Sequence, residues 1–86
     1  MSRYRMAAGV RWQVGHTTVT VTDGRGGVRM LVHPEAAVWD LVSRGYPFDN
    51  VVRTMQHIAA VDPWTSAGIV REALTSWSGA GLVEEG

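Results

Sequence analysis

The sequence predicts a small α+β protein in which a three-stranded antiparallel meander is followed by three helices. Three short runs of alternating or β-branched apolar residues come first, separated by turns that contain glycine. Three segments with the apolar spacing of amphipathic helices follow, and each has a proline, aspartate or glycine signal at its ends. The chain has 86 residues, which is enough for one domain with one modest core.

That domain is expected to cover residues 9–83, with a flexible N-terminus at residues 1–8 and a frayed tail at residues 84–86. The first eight residues show no apolar periodicity, and the last three are two glutamates and a glycine. No internal repeat, low-complexity segment or linker divides the chain.

The three strands are predicted at residues 10–14, 17–22 and 28–32. The first and third alternate apolar with other residues, and the second places valines on one face and threonines on the other. The connection at residues 23–27 contains three glycines, which supply the positive φ angles of a hairpin turn. In such a meander the middle strand is paired twice, so the first and third strands are the edges.

The first helix is predicted over residues 35–44, after a proline and before Gly45. Asp49 or Asn50 can cap the second helix, and Asp62 is expected to be the N-cap of the third. The predicted buried sides of the three helices are Val38, Leu41 and Val42; Val51, Val52, Met55 and Ile58; and Ile69, Val70, Ala73, Leu74 and Trp77.

Composition excludes several classes of protein. There is no cysteine, so disulfides, thiolate metal sites and cysteine nucleophiles are excluded. No apolar run approaches the roughly 20 residues of a membrane helix, and the N-terminus lacks the apolar stretch of a signal peptide. We therefore expect a cytoplasmic location. The formal net charge is zero, which argues against a protein whose main ligand is nucleic acid.

The side chains that carry most enzyme chemistry are scattered. The three histidines, His16, His33 and His57, lack the spacing of a helical metal site, and no carboxylate pair is placed for acid–base catalysis. The glycine-rich stretch at residues 24–27 is not followed by a helix, which distinguishes it from a phosphate-binding loop. We expect no catalytic residue, no metal site and no cofactor.

Four tryptophans stand out in so short a chain. Trp12 and Trp77 fall on predicted core faces, where large rings fill a small core. Trp39 flanks a predicted buried stripe and Trp64 lies in the first turn of the third helix. Either one is a candidate anchor for a partner protein, and the sequence leaves open which.

From residue 30 to residue 42, through Gly45, to Gly81-Leu82-Val83, the chain resembles the PqqD-like family, also called RiPP recognition elements. The resemblance covers about residues 8–83 and includes Val70, Leu74 and Trp77 near the end of the third helix. His33 and the turn at residues 46–48 depart from the commoner family pattern.

The resemblance implies a bacterial, winged-helix-like, non-catalytic module that binds the leader region of a ribosomally made precursor peptide. The leader would add an antiparallel strand to the third strand and deliver the precursor to a separate protease, cyclase or radical-SAM enzyme. A lasso-peptide system is the favoured context. The implied contact residues are Val28, Arg29, Met30, Leu31, Val32, Val70, Arg71 and Leu74.

The residues support the same reading independently, because the third strand is an unpaired edge that can accept another strand. Leu31 lies on the face opposite Val28, Met30 and Val32, so this strand is apolar on both faces. Arg29 either pairs with an acidic leader residue or is simply solvated.

Two other classes are weighed against this one. A winged-helix DNA-binding regulator would need a basic recognition helix, whereas the third helix has one arginine, Arg71, and one glutamate, Glu72. A small enzyme or metal-binding protein would need the site residues that the chain lacks.

Overall fold

In a computed structural model of the protein, which describes residues 3–86, the element order matches the prediction with one additional strand at each end. The elements are β1 (Tyr4–Met6), β2 (Arg11–Val14), β3 (Val19–Thr22), β4 (Val28–Leu31), α1 (Glu35–Ser43), α2 (Phe48–Ile58), α3 (Pro63–Gly79) and β5 (Val83–Glu85).

Strands β2, β3 and β4 form an antiparallel sheet in sequence order, as predicted. Val19 and Val21 of β3 are buried under the helices, and the threonines between them lie on the other face. In the β3–β4 turn, the Asp23 carbonyl accepts a hydrogen bond from the Gly26 N–H, and the Asp23 N–H donates to the Gly27 carbonyl. Gly26 has a φ of 88°, a conformation that glycine adopts without a steric penalty.

The chain ends differ from the expectation of loose termini. β1 and β5 pair antiparallel, with Tyr4 opposite Glu85 and Met6 opposite Val83. The Ala7 N–H donates to the Leu82 carbonyl at 3.0 Å and extends this pairing. Leu82 and Val83 are buried in the core, so the segment after α3 is held in place and offers a strand edge to residues 4–6. Three-residue strands give almost no periodic signal, which is why the sequence did not indicate them.

The helix ends match the prediction at two of three N-termini. Asp62 caps α3, and its carboxylate accepts a hydrogen bond from the Thr65 N–H at 3.1 Å. Helix α1 begins at Glu35, directly after Pro34. The capping prediction for α2 was wrong. That helix begins at Phe48, directly after Pro47 and without a side-chain cap, so Asp49 and Asn50 both lie in its first turn.

The core contains a row of three tryptophans. Trp39 is fully buried between Trp12, at a ring-centroid distance of 5.9 Å, and Trp77, at 5.1 Å, and both contacts are edge-to-face. This corrects the placement of Trp39 at the flank of the buried stripe. The Trp39 Nε1–H has no acceptor within residues 3–86, so ring packing rather than a hydrogen bond fixes its position.

Trp12 is only partly buried, contrary to the expectation. Its side chain lies on the helix side of the sheet, opposite Val21, but 38% of it is exposed because β2 is an edge strand. The predicted face of the strand is therefore right and the predicted depth of burial is wrong.

Candidate functional site

The outer edge of β4 carries backbone groups without partners in the sheet. Asp23 and Gly27 form a hydrogen-bonded pair at 2.9 Å, and the register continues with Val21 opposite Arg29 and Val19 opposite Leu31. Hydrogen-bonded pairs alternate with non-bonded pairs in an antiparallel ladder. Arg29 and Leu31 therefore bond to β3, while the N–H and C=O groups of the residues between them point away from the sheet.

Those outward-pointing groups belong to Val28, Met30 and Val32. The Val32 carbonyl accepts the Ala36 N–H at 2.8 Å, and no partner within residues 3–86 is found for the other groups. Five groups thus remain available, namely the N–H and C=O of Val28, the N–H and C=O of Met30, and the N–H of Val32. This is the pattern that an added strand requires.

The two faces of β4 have different environments. Leu31 lies on the helix side and is buried, whereas Val28 and Met30 lie on the opposite face with 67% and 66% of their surfaces exposed. Arg29 shares the helix-side face with Leu31 and is exposed, so its side chain is accessible to a strand added at this edge. The prediction that β4 is apolar on both faces is in accord with this arrangement.

A groove separates the start of α1, just after the end of β4, from one flank of α3. A cavity of about 220 Å³ lies between Pro34 and Glu35 on one side and α3 on the other. A wider, open depression of about 920 Å³ continues from it along the helix. Both are lined by the same three α3 residues, Ile69, Glu72 and Ser76. The groove therefore begins where β4 ends and follows α3.

The opposite end of β4 also approaches α3. The β3–β4 turn, including Asp23 and Arg25, borders a second cavity of about 470 Å³ together with residues 79–81 at the end of the helix. Because the start of β4 lies near the end of α3, and the end of β4 lies near Ile69 and Glu72, strand and helix run in opposite directions.

The Asp23 carboxylate shapes the charge at this turn. Its Oδ1 accepts the N–H groups of Gly27 at 2.9 Å and of Arg25 at 2.8 Å. These backbone hydrogen bonds, with the nearby Arg25 and Arg29 side chains, hold the pKa of Asp23 below its ordinary value. Asp23 is thus a carboxylate at neutral pH, and the two arginines against one carboxylate leave the β3–β4 turn and the start of β4 with a net positive charge.

The structure places the predicted site residues in different surroundings. Arg29 and Leu31 lie on the helix-side face of β4, and Val28, Met30 and Val32 supply its free edge. Val70 and Leu74 are instead buried in the core.

Arg71 lines the wider depression together with Glu72, and it also borders a cavity with Tyr4, Phe48, Leu74 and Thr75. Of the predicted α3 contacts, Arg71 lines the groove, whereas Ile69, Glu72 and Ser76, which also line it, were not proposed as contacts. Helical periodicity marks the most buried residues of α3, and the groove-lining residues lie one step around the helix from them. The binding roles of all these residues remain predictions.

The other free edge belongs to β2 and has a different setting. Gly15 donates to the Thr18 carbonyl at 2.7 Å, so the same alternation directs the backbone groups of Trp12 and Val14 outward. The cavity beside Val14 is lined by the β2–β3 turn and by α1, with no residue of α3. The β4 edge, by contrast, leads through Pro34 and Glu35 into the groove along α3.

Other features of the described chain do not form a site. Trp64 is 87% exposed and is the remaining candidate anchor, since Trp39 is buried. Among residues 3–86, no group of three or more His, Asp or Glu side chains is arranged to hold a metal ion. No helix in the same range is both long and apolar enough to cross a membrane.

No protein-family model and no curated protein matches the chain. Among solved structures, it is similar to TbiB1 in complex with the TbiA(beta) leader peptide, with a TM-score of 0.87. The two chains are 18% identical, and the similarity covers 93% of this chain and 94% of TbiB1. This likeness confirms the predicted α+β fold class. The chain therefore has the fold of TbiB1.

Proposed function

We propose that this protein is a RiPP recognition element, which binds the leader region of a ribosomally synthesised precursor peptide. The observation that carries the proposal is the unpaired edge of β4 beside the groove along α3. The likeness in fold to TbiB1, whose structure is a complex with a leader peptide, supports it.

Binding occurs by strand addition. The leader pairs antiparallel with Val28, Met30 and Val32, whose free N–H and C=O groups form up to five backbone hydrogen bonds. Alternate leader side chains point into the groove against Ile69 and Glu72. Main-chain bonds supply affinity that depends little on sequence, and the side chains in the groove supply selectivity.

The protein itself is not a catalyst in this proposal. It holds the precursor at a high effective concentration for a separate enzyme, either a leader peptidase, a cyclase or a radical-SAM enzyme. We favour a lasso-peptide system, in which a leader-binding protein acts beside a separate peptidase, and the likeness in fold to TbiB1 in its leader-peptide complex supports the leader-binding part of this proposal. The site of action is the cytoplasm, where precursor peptides are made.

The test is a titration with the leader segment of a precursor peptide encoded beside the gene for this chain. Amide chemical shifts should change at residues 28–32 and along the flank of α3 that carries Ile69, Glu72 and Ser76. A duplex DNA probe should produce no saturable change. Saturable DNA binding without peptide binding would favour a winged-helix regulator. Leader processing by the purified chain alone would contradict the non-catalytic role.

A further inference from the structure

We propose that the groove is charged with opposite sign at its two ends, and that these charges select the direction and sequence pattern of the bound peptide. The preferred segment has a basic residue, then two apolar residues, then an acidic residue four positions after the basic one. This inference rests on the proposed strand addition to β4 and specifies the peptide that such a site accepts.

The positive end of the groove lies at the start of β4. Arg29 extends from the helix-side face of the strand, is exposed, and forms no ion pair within residues 3–86. Arg25 lies in the adjoining turn. The Asp23 carboxylate, which accepts the backbone N–H groups of Arg25 and Gly27 in the same turn, offsets one of these two positive charges. One unpaired positive charge therefore remains beside the first half of β4.

The negative end lies where β4 leads into α1. Glu35 and Glu72 line the same 220 Å³ cavity from opposite walls. Neither carboxylate has an ion-pair partner within residues 3–86. Arg71, the one arginine of α3, borders the wider depression beside Glu72 but does not line this smaller cavity. The two glutamates thus give this end of the groove a net negative charge.

The alternation of side chains along β4 determines which residues of an added peptide strand lie next to these charges. A peptide residue opposite Arg29 or Leu31 directs its side chain into the groove, and a residue opposite Val28 or Met30 directs its side chain to the outer face. An antiparallel peptide therefore places an acidic residue opposite Arg29. Two positions earlier, opposite Leu31, an apolar residue enters the apolar part of the cavity.

Two positions earlier again, a basic residue comes beside Glu35 and Glu72. The two charged residues are then about 13 Å apart along the strand, at 3.3 Å per residue. On the outer face, apolar peptide residues opposite Val28 and Met30 pack against these two exposed side chains and cover part of their surface. The resulting pattern is basic, any, apolar, apolar, acidic, apolar.

A matched pair of synthetic peptides tests the inference. The first is Ser-Arg-Thr-Leu-Val-Glu-Val-Ser, and the second, with identical composition, is Ser-Glu-Thr-Leu-Val-Arg-Val-Ser, both acetylated and amidated. Dissociation constants are measured from amide shift titrations with peptide up to about 1 mM. Exposed ion pairs each change affinity about two- to fivefold. Exchanging both charges replaces two attractions by two repulsions, so the first peptide should bind at least about tenfold more tightly.

The charge-reversed protein is the control. In the double variant Arg29→Glu, Glu72→Arg, both substituted residues are exposed, so the fold should persist by circular dichroism. This variant should prefer the second peptide. A nitroxide on the N-terminus of the first peptide should broaden the amide signals of Ile69 and Glu72 in the parent protein, and not those of Gly27.

The outcomes are distinguishable. Equal binding of both peptides at residues 28–32 would overturn the charge selection and leave strand addition standing. The same preference in the parent and in the charge-reversed protein would also overturn it. Shift changes confined to β2, or no binding of either peptide, would overturn the proposed strand addition and this inference together.

Discussion

Replacing Met30 by proline tests the free edge of β4 without disturbing its paired side. Proline lacks an N–H group and is tolerated in an edge strand where that group faces outward. The Met30 N–H points away from β3, and its side chain is exposed on the outer face of the sheet. The variant should fold normally, with a loss of less than about 1 kcal/mol in the free energy of unfolding.

The effect on peptide binding should be much larger. Each net backbone hydrogen bond contributes about 0.5–1.5 kcal/mol. Met30→Pro removes one of the five available groups and places a ring where the carbonyl of the bound strand would approach. Two bonds of the Met30 pair are therefore affected, and a loss of about 2 kcal/mol corresponds to about 30-fold weaker binding.

The assay is isothermal titration with the leader peptide, accompanied by urea unfolding of each variant. Val14→Pro is the matched control, because Val14 occupies the equivalent outward-bonding position on the β2 edge. It should bind the peptide like the parent protein. Leu31→Pro is a poor probe, since Leu31 is buried and bonds to β3, and its replacement should cost at least about 3 kcal/mol of stability. Unchanged affinity in a folded Met30→Pro variant, or a loss on Val14→Pro alone, would refute the choice of edge.

Three further predictions concern stability. Trp39→Ala should lower the free energy of unfolding by about 3–5 kcal/mol and Trp12→Ala by clearly less, measured in urea, because the first ring is fully buried and the second is 38% exposed; equal losses would contradict the order of burial. Ser66→Ala should cost about 1 kcal/mol in the same measurement, because the buried Ser66 hydroxyl donates to the Val52 carbonyl at 2.7 Å; no change would show that this bond does not stabilise the α2–α3 contact. Hydrogen bonds from the Thr65 hydroxyl and N–H lower the pKa of Asp62 from 3.8, so its stabilising effect is complete above pH 3.8 and is lost as the pH falls through the lowered pKa. Asp62→Asn should therefore show a smaller fall in melting temperature over that acidic range than the parent does, and an identical fall would mean that this cap contributes nothing to the acid sensitivity.

The meander and the three helices could be predicted because their signals are local. Alternating β-branched residues marked the strands, glycines marked the β3–β4 turn, and Asp62 with a following proline marked the start of α3. Each of these signals acts through neighbouring residues, so no knowledge of the tertiary structure was needed.

The pairing of β1 with β5 could not be predicted in the same way. Its hydrogen bonds join residues about eighty positions apart in the chain, and neither strand has enough residues for a periodic pattern. The burial of Leu82 and Val83 was visible as an apolar pair, but its consequence for the N-terminus depends on where α3 ends in space.

The free edge of β4 could be predicted from the sequence, whereas most of the α3 residues that line the groove could not. Edge status follows from strand order, which the turns determine. The groove-facing flank of α3 depends on how the helix is rotated against the rest of the fold. At about 100° per residue, Ile69 and Glu72 lie on a different side of the helix from Val70 and Leu74. Trp12 illustrates the same limit, since alternation gives the face of a residue and not its depth of burial.

Amide hydrogen exchange at the edge of β4 tests strand addition most directly. In the free protein, the N–H groups of Val28 and Met30 have no acceptor within residues 3–86 and should exchange rapidly. With saturating leader peptide, both should slow by at least about tenfold because they become bonded to the added strand. The N–H groups of Trp12 and Val14 on the β2 edge should not change. Slowing at Trp12 and Val14, with continued rapid exchange at Val28 and Met30, would contradict the proposed binding edge.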